Sequence, residues 1–254
     1  MKHVSTLVLA GQRAGVTDPL CAEFNVDYKV ETPILDRPML SWVESALEAA
    51  GLARPYMISG YPNAGEGWLI KESGMGPADS ALIALKNASF PCLMTTGDHP
   101  LLRADMIASF INGSIASGAD FCVGLANEAI IQEGHPNTKR TYLRFSDEAV
   151  SGCNLFFIAN EKGLAALKFW REAQHLRKQP LKLARKIGIG LGLKYAAGRL
   201  SLQGAFEEAG RKIGISAKPV LLPFAEAAID VDKVSDHELV SEILKKRELS
   251  DENS

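Results

Sequence analysis

Short apolar runs alternate with stretches of helical periodicity along the first half of this chain, and no other feature limits its fold as strongly. Residues 4–10 are apolar and partly β-branched and stop at Gly11, which reads as a buried first strand. Helical periodicity follows over 39–50 and ends at Gly51. A short strand is expected at 56–59, a helix at 77–86, a strand at 92–96, a helix at 104–116 and a strand at 121–125. Pro77 suits the first turn of its helix, where a missing N–H costs nothing. Strands that alternate with helices build a mostly parallel sheet covered by helices. Between the first strand and the first helix, residues 11–33 read as irregular and polar.

The second half has a different texture. Strands are expected at 141–145 and 154–158, then a helical elaboration at 161–215 broken at Pro180 and Gly198. Strands return at 220–223 and 228–231, before a last helix at 236–247. Ser235 and Glu238 make a Ser-x-x-Glu capping box at its start. With no repeat and no low-complexity linker, the expectation is one domain over 1–248, with 249–254 a disordered tail.

Composition narrows the function classes. A net charge of −2 argues against a general nucleic-acid binder. Cys21, Cys92, Cys122 and Cys153 are scattered without zinc-ligand spacing, which suits buried, reduced thiols. The apolar run at the start is short for a signal peptide, and no stretch is long enough to span a membrane. The expected location is the cytoplasm.

Four points could carry chemistry. Leu9-Ala10-Gly11-Gln12-Arg13-Ala14-Gly15 follows the first strand directly. Backbone N–H groups there can form an anion nest, and Arg13 adds a donor fork for phosphate oxygens. The same residues also make an ordinary strand-to-loop turn. The loop is neither Gly-x-Gly-x-x-Gly nor a Walker loop. Lys29, in the irregular segment, is a point charge suited to a triphosphate. Gly74-Met75-Gly76-Pro77-Ala78-Asp79-Ser80 opens a helix, where backbone donors can meet a base edge or a phosphate. Gly97-Asp98-His99-Pro100 places a carboxylate at the carboxyl end of a strand, where α/β sheets bind ligands. Oxygen donors there suit Mg²⁺, which binds through one or two carboxylates plus substrate phosphates. Asp230, in the expected strand at 228–231, and Asp232, just past its end, are two residues apart and so point to the same face, and one could join Asp98 across the sheet.

Taken in order, these motifs resemble the MobA-like NTP-transferase family, nucleotidyltransferases of the GT-A type. The matching residues are Leu9-Ala10-Gly11 with Arg13 and Gly15, Lys29, Gly76-Pro77-Ala78-x-Ser80, Gly97-Asp98-x-Pro100-Leu101, and Asp230-Val231-Asp232 with Asp236. The resemblance implies a Rossmann-like, three-layer α/β/α fold with a mixed, mostly parallel sheet and, here, a helical insertion. It implies transfer of an NMP from an NTP to a small phosphorylated acceptor, with CTP and GTP both open. In that pattern Gly11 and Arg13 hold the NTP phosphates, Leu9, Ala10 and Gly15 belong to the same nucleotide-binding loop, and Lys29 reaches the triphosphate. Gly76, Pro77 and Ser80 border the nucleoside, and Asp98 and Asp232 hold Mg²⁺. The family's loop is longer, Leu-Ala-Gly-Gly-x-Gly-x-Arg-x-Gly, so this one lacks two glycines. Other readings are a GT-A glycosyltransferase using a nucleotide-sugar, and a degenerate domain kept for protein interaction.

Two basic regions address the acceptor. Lys139, Arg140 and Arg144, with Asn154 further on, could grip a phosphate. Residues 162–199 hold ten Lys or Arg and a single acidic residue, Glu172, a local charge of +9. Such a basic, amphipathic stretch can lie on an anionic membrane surface, so peripheral membrane contact through 162–199 is a further expectation.

Overall fold

The computed structural model describes residues 3–12, 15, 18–136, 138–176 and 188–251. In chain order the elements are β1 (Ser5–Leu9), α1 (Pro19–Phe24), a 3-10 turn at Lys29–Glu31, the two-residue strands β2 (Pro33–Ile34) and β3 (Arg37–Pro38), α2 (Met39–Ala49), β4 (Tyr56–Ser59) and β5 (Trp68–Lys71). Next come α3 (Pro77–Ala84), β6 (Cys92–Thr96), α4 (Ala104–Ser117), β7 (Phe121–Asn127), α5 (Glu128–Gly134), β8 (Leu143–Arg144) and β9 (Ala149–Ile158). The remainder is α6 (Leu164–Leu176), α7 (Ile189–Ala196), α8 (Leu202–Ile213), β10 (Ala217–Leu221), a 3-10 turn at Ala225–Ala228, and α9 (Val234–Asp251).

The main sheet runs β10-β7-β9-β6-β1-β4-β5, with β8 added against β9. β1 pairs in parallel with β4 and β6, β4 with β5, and β7 with β10. β9 runs antiparallel to both β6 and β7. This is the mixed, mostly parallel sheet expected from the sequence. Alternate side chains on β1 serve opposite layers, as the pleat requires. Val8 packs with Val43, Leu47, Phe110 and Ile111 of α2 and α4 on one face. Leu7 and Leu9 pack with Ala81, Ala84 and Leu167 of α3 and α6 on the other. Each such fully buried aliphatic side chain contributes about 1.5–3 kcal/mol, so β1 is held from both sides. A third cluster joins Leu20, Met39 and Leu101 to Val240 and Leu244 of α9.

Several expectations change. Residues 11–33 are not wholly irregular: α1 forms behind Asp18, whose carboxylate accepts from Leu20 N–H at 2.9 Å. β5 and α5 have no counterpart in the sequence reading. The strand expected at 141–145 shrinks to β8. The strand expected at 228–231 is absent; the 3-10 turn occupies its start, and one bond, Val231 N–H to the Asp98 carbonyl at 2.9 Å, ties the remainder to the sheet end. The Ser235–Glu238 capping box does not form, because α9 begins at Val234 and Ser235 is already inside it. The Asp236 carboxylate instead accepts from Asp232 N–H at 3.2 Å. α9 continues to Asp251, into the segment expected as a tail. The helical elaboration is present as α6, α7 and α8, and residues 177–187 of it lie outside the described residues.

Candidate active site

The register of β1 sets the site. Leu9 stands opposite Ser59 on one side and Thr96 on the other. The residues that follow these three strand ends, Ala10-Gly11, Gly60 and Gly97-Asp98, therefore share one edge of the sheet. Two of these glycines are sterically required. A Cβ on Gly60 would lie 2.3 Å from the Gly11 Cα, and Gly60 has φ +92°. A Cβ on Gly97 would meet Val30 Cγ1 at 2.7 Å. Without that Cβ, the 3-10 turn at Lys29–Glu31 seats Val30 against the strand end. Its neighbour Lys29 is thereby carried over Asp98.

The Lys29 ammonium sits between two carboxylates, 2.6 Å from Asp98 Oδ2 and 2.7 Å from Asp232 Oδ1. Its side chain is 14 % exposed. Burial by itself would lower its pKa, but Asp98 and Asp232 reverse this and hold it above the ordinary lysine value. Burial likewise works against Asp98 as an anion; the Lys29 charge and hydrogen bond outweigh it and keep its pKa below normal. The turn beneath Lys29 is braced. Gln12 accepts from Lys29 N–H at 3.2 Å and donates to the Asp27 carbonyl at 2.7 Å. Glu31 accepts from Tyr28 N–H at 3.1 Å and from the Tyr61 hydroxyl at 3.0 Å.

The donor set fits a hard cation. Asp98 Oδ1 is buried and has no hydrogen-bond partner. An orphaned carboxylate oxygen is costly unless something positive meets it. Asp232, with a side chain 66 % exposed, is open to an incoming ligand. Among the described residues no cluster of three or more His, Cys, Asp or Glu could hold a metal. The protein would thus supply these two carboxylates and leave the other positions to phosphate oxygens and water, a pattern suited to Mg²⁺.

Asp230 takes no part in that pair. It is bonded to the Arg140 guanidinium, and Asn154 Nδ2 donates to it at 2.8 Å. Arg140 Nη2 also donates to the Asp230 carbonyl at 3.0 Å. Burial and then the charges of Asp98 and Asp232 push the Asp230 pKa up, while Arg140 opposes the rise. Asn154 reaches it from a left-handed position within β9, at φ 51°.

The expected acceptor set is thereby divided. Arg140 and Asn154 are spent on Asp230, and the Arg140 side chain is only 10 % exposed. Lys139 is exposed. Arg144 is exposed and grips both oxygens of Glu128, at 2.7 and 2.8 Å. Gly76 precedes α3, whose first residue is Pro77. The Ser80 hydroxyl accepts from Gly74 N–H at 2.9 Å and so shapes the loop in front of the helix. Leu9 and Ala10 are buried, Gly11 is exposed, and Gly15 has φ +72°. Arg13 lies outside the described residues.

Sequence reasoning missed Gln12, Glu31, Tyr61 and the Arg140–Asp230 tie. Only Gln12 carried a signal, since it stands where the family pattern has glycine.

No protein-family profile and no curated protein matches the chain. Solved structures do. A hypothetical transferase from Thermus thermophilus is 31 % identical, with a TM-score of 0.80 over 93 % of this chain and 100 % of that one. The 2-C-methyl-D-erythritol 4-phosphate cytidylyltransferase of Thermus thermophilus is similar at 15 % identity, TM-score 0.52, over 96 % and 100 % of the two chains. Molybdopterin-guanine dinucleotide biosynthesis protein A from Archaeoglobus fulgidus is similar at 11 % identity, TM-score 0.53, over 96 % and 100 %. The last two likenesses show the fold; the first shows kinship. The chain belongs to the family of that hypothetical Thermus thermophilus transferase, on the fold of the MobA-like NTP transferases.

Proposed function

We propose that the protein is a Mg²⁺-dependent nucleotidyltransferase that moves an NMP from an NTP onto a small phosphorylated acceptor. The observation that carries this reading is the Lys29 ammonium held between Asp98 and Asp232 at the carboxyl ends of β1 and β6. An acceptor phosphate oxygen would bond to the α-phosphorus while the α–β bridge breaks and pyrophosphate leaves. Such a transfer needs in-line positioning and charge neutralisation, with little covalent help from the protein. Lys29 would neutralise the triphosphate. Arg13 keeps its proposed role on the phosphates, beside the backbone of Leu9, Ala10, Gly11 and Gly15. Asp98 and Asp232 would hold Mg²⁺, whose chemistry is to neutralise and orient the phosphate oxygens. The Gly76-Pro77 turn and Ser80 would border the nucleoside.

On the acceptor side, Lys139 and Arg144 are the exposed cations. Arg140 and Asn154 would act through Asp230, whose anchoring fixes the stretch that presents Asp232. The neighbours' names include both a cytidylyltransferase and a guanine-dinucleotide protein, so CTP and GTP are the first nucleotides to try. Among the described residues no helix is long and apolar enough to cross a membrane. The four cysteines are buried free thiols, and on that chemistry we place the protein in the cytoplasm.

The test is a thermal-shift screen of the four NTPs with Mg²⁺, followed by pyrophosphate release with candidate acceptor phosphates. One NTP should raise the melting point above the others, since a ligand that binds only the folded state stabilises it. No stabilisation by any NTP would remove the reading.

A further inference from the structure

The two edges of the main sheet are built differently. β10 closes one end and β5 the other. At β10, Phe121 N–H donates to the Ser216 carbonyl at 3.2 Å and Leu222 N–H to the Leu125 carbonyl at 2.8 Å. Successive residues of a strand turn their main-chain groups to opposite sides, so Lys218 and Val220 face β7 while Ala217, Pro219 and Leu221 face outward. The outer side of β10 thus carries a proline, which has no N–H to offer. An edge guarded in this way resists a further strand.

β5 has no such guard. Tyr56 N–H donates to the Gly67 carbonyl at 3.1 Å, so Gly67, Leu69 and Lys71 face β4, and the main-chain groups of Trp68 and Ile70 face outward. Among the described residues no strand lies beyond them. Leu69, level with Met57, stands on the α3 face of the sheet and is 45 % exposed. Ile70, level with Ile58, stands on the α2 face and is 48 % exposed. The strand holds no proline, and its one charge, Lys71, is at its last position. Free main-chain donors and acceptors with bare apolar side chains on both faces make a template for strand pairing.

We propose that β5 is the interface of a two-fold homodimer, in which the eight-stranded sheets of two copies join edge to edge. The occupant follows from the strand's fit to itself. Antiparallel pairing about a two-fold axis at Leu69 sets Leu69 against the partner's Leu69 and Trp68 against the partner's Ile70. The outward groups of Trp68 and Ile70 then exchange four main-chain hydrogen bonds across the axis. Lys71 falls opposite the partner's Gly67, so no like charges meet within the paired strands. Gly67 has φ +86°, which turns Glu66 out of the strand line before it can meet the partner's Glu72. A register shifted by two residues sets Leu69 against the partner's Gly67 or the partner's Lys71 and loses the apolar match. A second copy also brings its strand already ordered against β4, so no extended peptide has to be immobilised. The contact is isologous and closes on itself at two copies, with the Pro219 edges ending the joined sheet. Because the paired strands run antiparallel, the carboxyl edges of the two sheets point in opposite directions, and each copy keeps its own Lys29 site open. The inference does not depend on nucleotidyl transfer, and its measurement is independent of activity.

The experiment is sedimentation equilibrium of the full chain over a range of concentrations. The expected result is a mass that approaches twice that of one chain as concentration rises. Ile70→Pro removes an N–H that β4 does not use and two bonds between the copies, so it should raise the dissociation constant about 30-fold. Ile115→Glu, at an exposed position on α4, should leave it unchanged. Leu69→Cys tests the register without relying on affinity. A directly opposed, non-hydrogen-bonded pair has Cα atoms about 4.5 Å apart, within disulfide reach, so mild oxidation should link two copies. Lys71→Cys, set opposite glycine, should not link, and the four native cysteines are buried. The cross-link decides the matter even where Ile70→Pro disturbs folding. A single-chain mass at every concentration, a dimer that a folded Ile70→Pro leaves intact, or no cross-link through Leu69→Cys each overturns the proposal.

Discussion

Asp230 and Asp232 are two residues apart and have opposite surroundings. Asp230 is enclosed, bonded to Arg140 and Asn154, and its partners come from 90 and 76 residues away. Asp232 is largely exposed, and the lysine that its side chain bonds comes from 203 residues away. Arginine at Asp230 offers a planar fork that fixes its carboxylate and is always charged. Lysine at Asp232 is a point charge on a flexible stem. One aspartate is thus built into the frame and the other is left available to exchange partners. The difference shows that an Asp-x-Asp pair need not act as a pair: the cation that reaches each carboxylate decides its role.

Four substitutions would break or sharpen that contrast. Asp98→Asn should have the largest effect, with pyrophosphate release falling by about 10³-fold or more, while the melting point moves little. Activity near wild type would exclude Asp98 as an essential ligand. On the framed side, Arg140→Ala strands the Asp230 carboxylate and should cost about 3 kcal/mol in denaturant unfolding. A stable Arg140→Ala protein that has lost turnover would reverse the roles assigned to the two aspartates. Lys29→Met should reduce turnover by about 10²-fold; because it strands the Asp98 carboxylate as Arg140→Ala strands Asp230, it should also lower stability, and NTP stabilisation, read against the variant's own melting point, should weaken. Equal NTP shifts in the variant and the wild type would remove Lys29 from the triphosphate.

The smallest effect belongs to a carboxylate far from both. Asp120 accepts from Ser216 N–H at 2.9 Å and from Asn160 Nδ2 at 2.8 Å, which lowers its pKa. A depressed carboxylate contributes stability above its unfolded pKa and loses it as pH falls through the folded one. Asp120→Asn should therefore lower the melting point slightly at neutral pH, and the gap to wild type should close in acid, below the usual aspartate range. A gap that widens on acidification would contradict this sign.

The sequence revealed much of the sheet because buried parallel strands are apolar on both faces, as β1, β4 and β6 are. β5 was hidden for the opposite reason. It is an edge strand, and Leu69 and Ile70 remain exposed, so it has no buried pattern to read. α1 and α5 span six and seven residues, too short for helical periodicity to show. At the site, Asp98, Lys29 and Asp232 were legible because the family pattern names those positions. The Arg140–Asp230 tie was not, since its partners meet only once β9 and the last connection are folded together. Gln12 was visible as a departure from glycine, yet its bracing of the Lys29 turn depends on where that turn lands.

Lys29 also bears on the order in which ligands arrive. Because it sits against both carboxylates, the resting site holds an internal counter-ion and one net negative charge instead of two. A bare divalent cation must compete with an ammonium that is already desolvated and doubly bonded. A nucleotide that brings its own cation supplies phosphates able to draw the lysine aside in the same event. On the proposed reading, the site would favour a metal–nucleotide complex over free metal, and the ion that guards the site would be the one that greets the substrate.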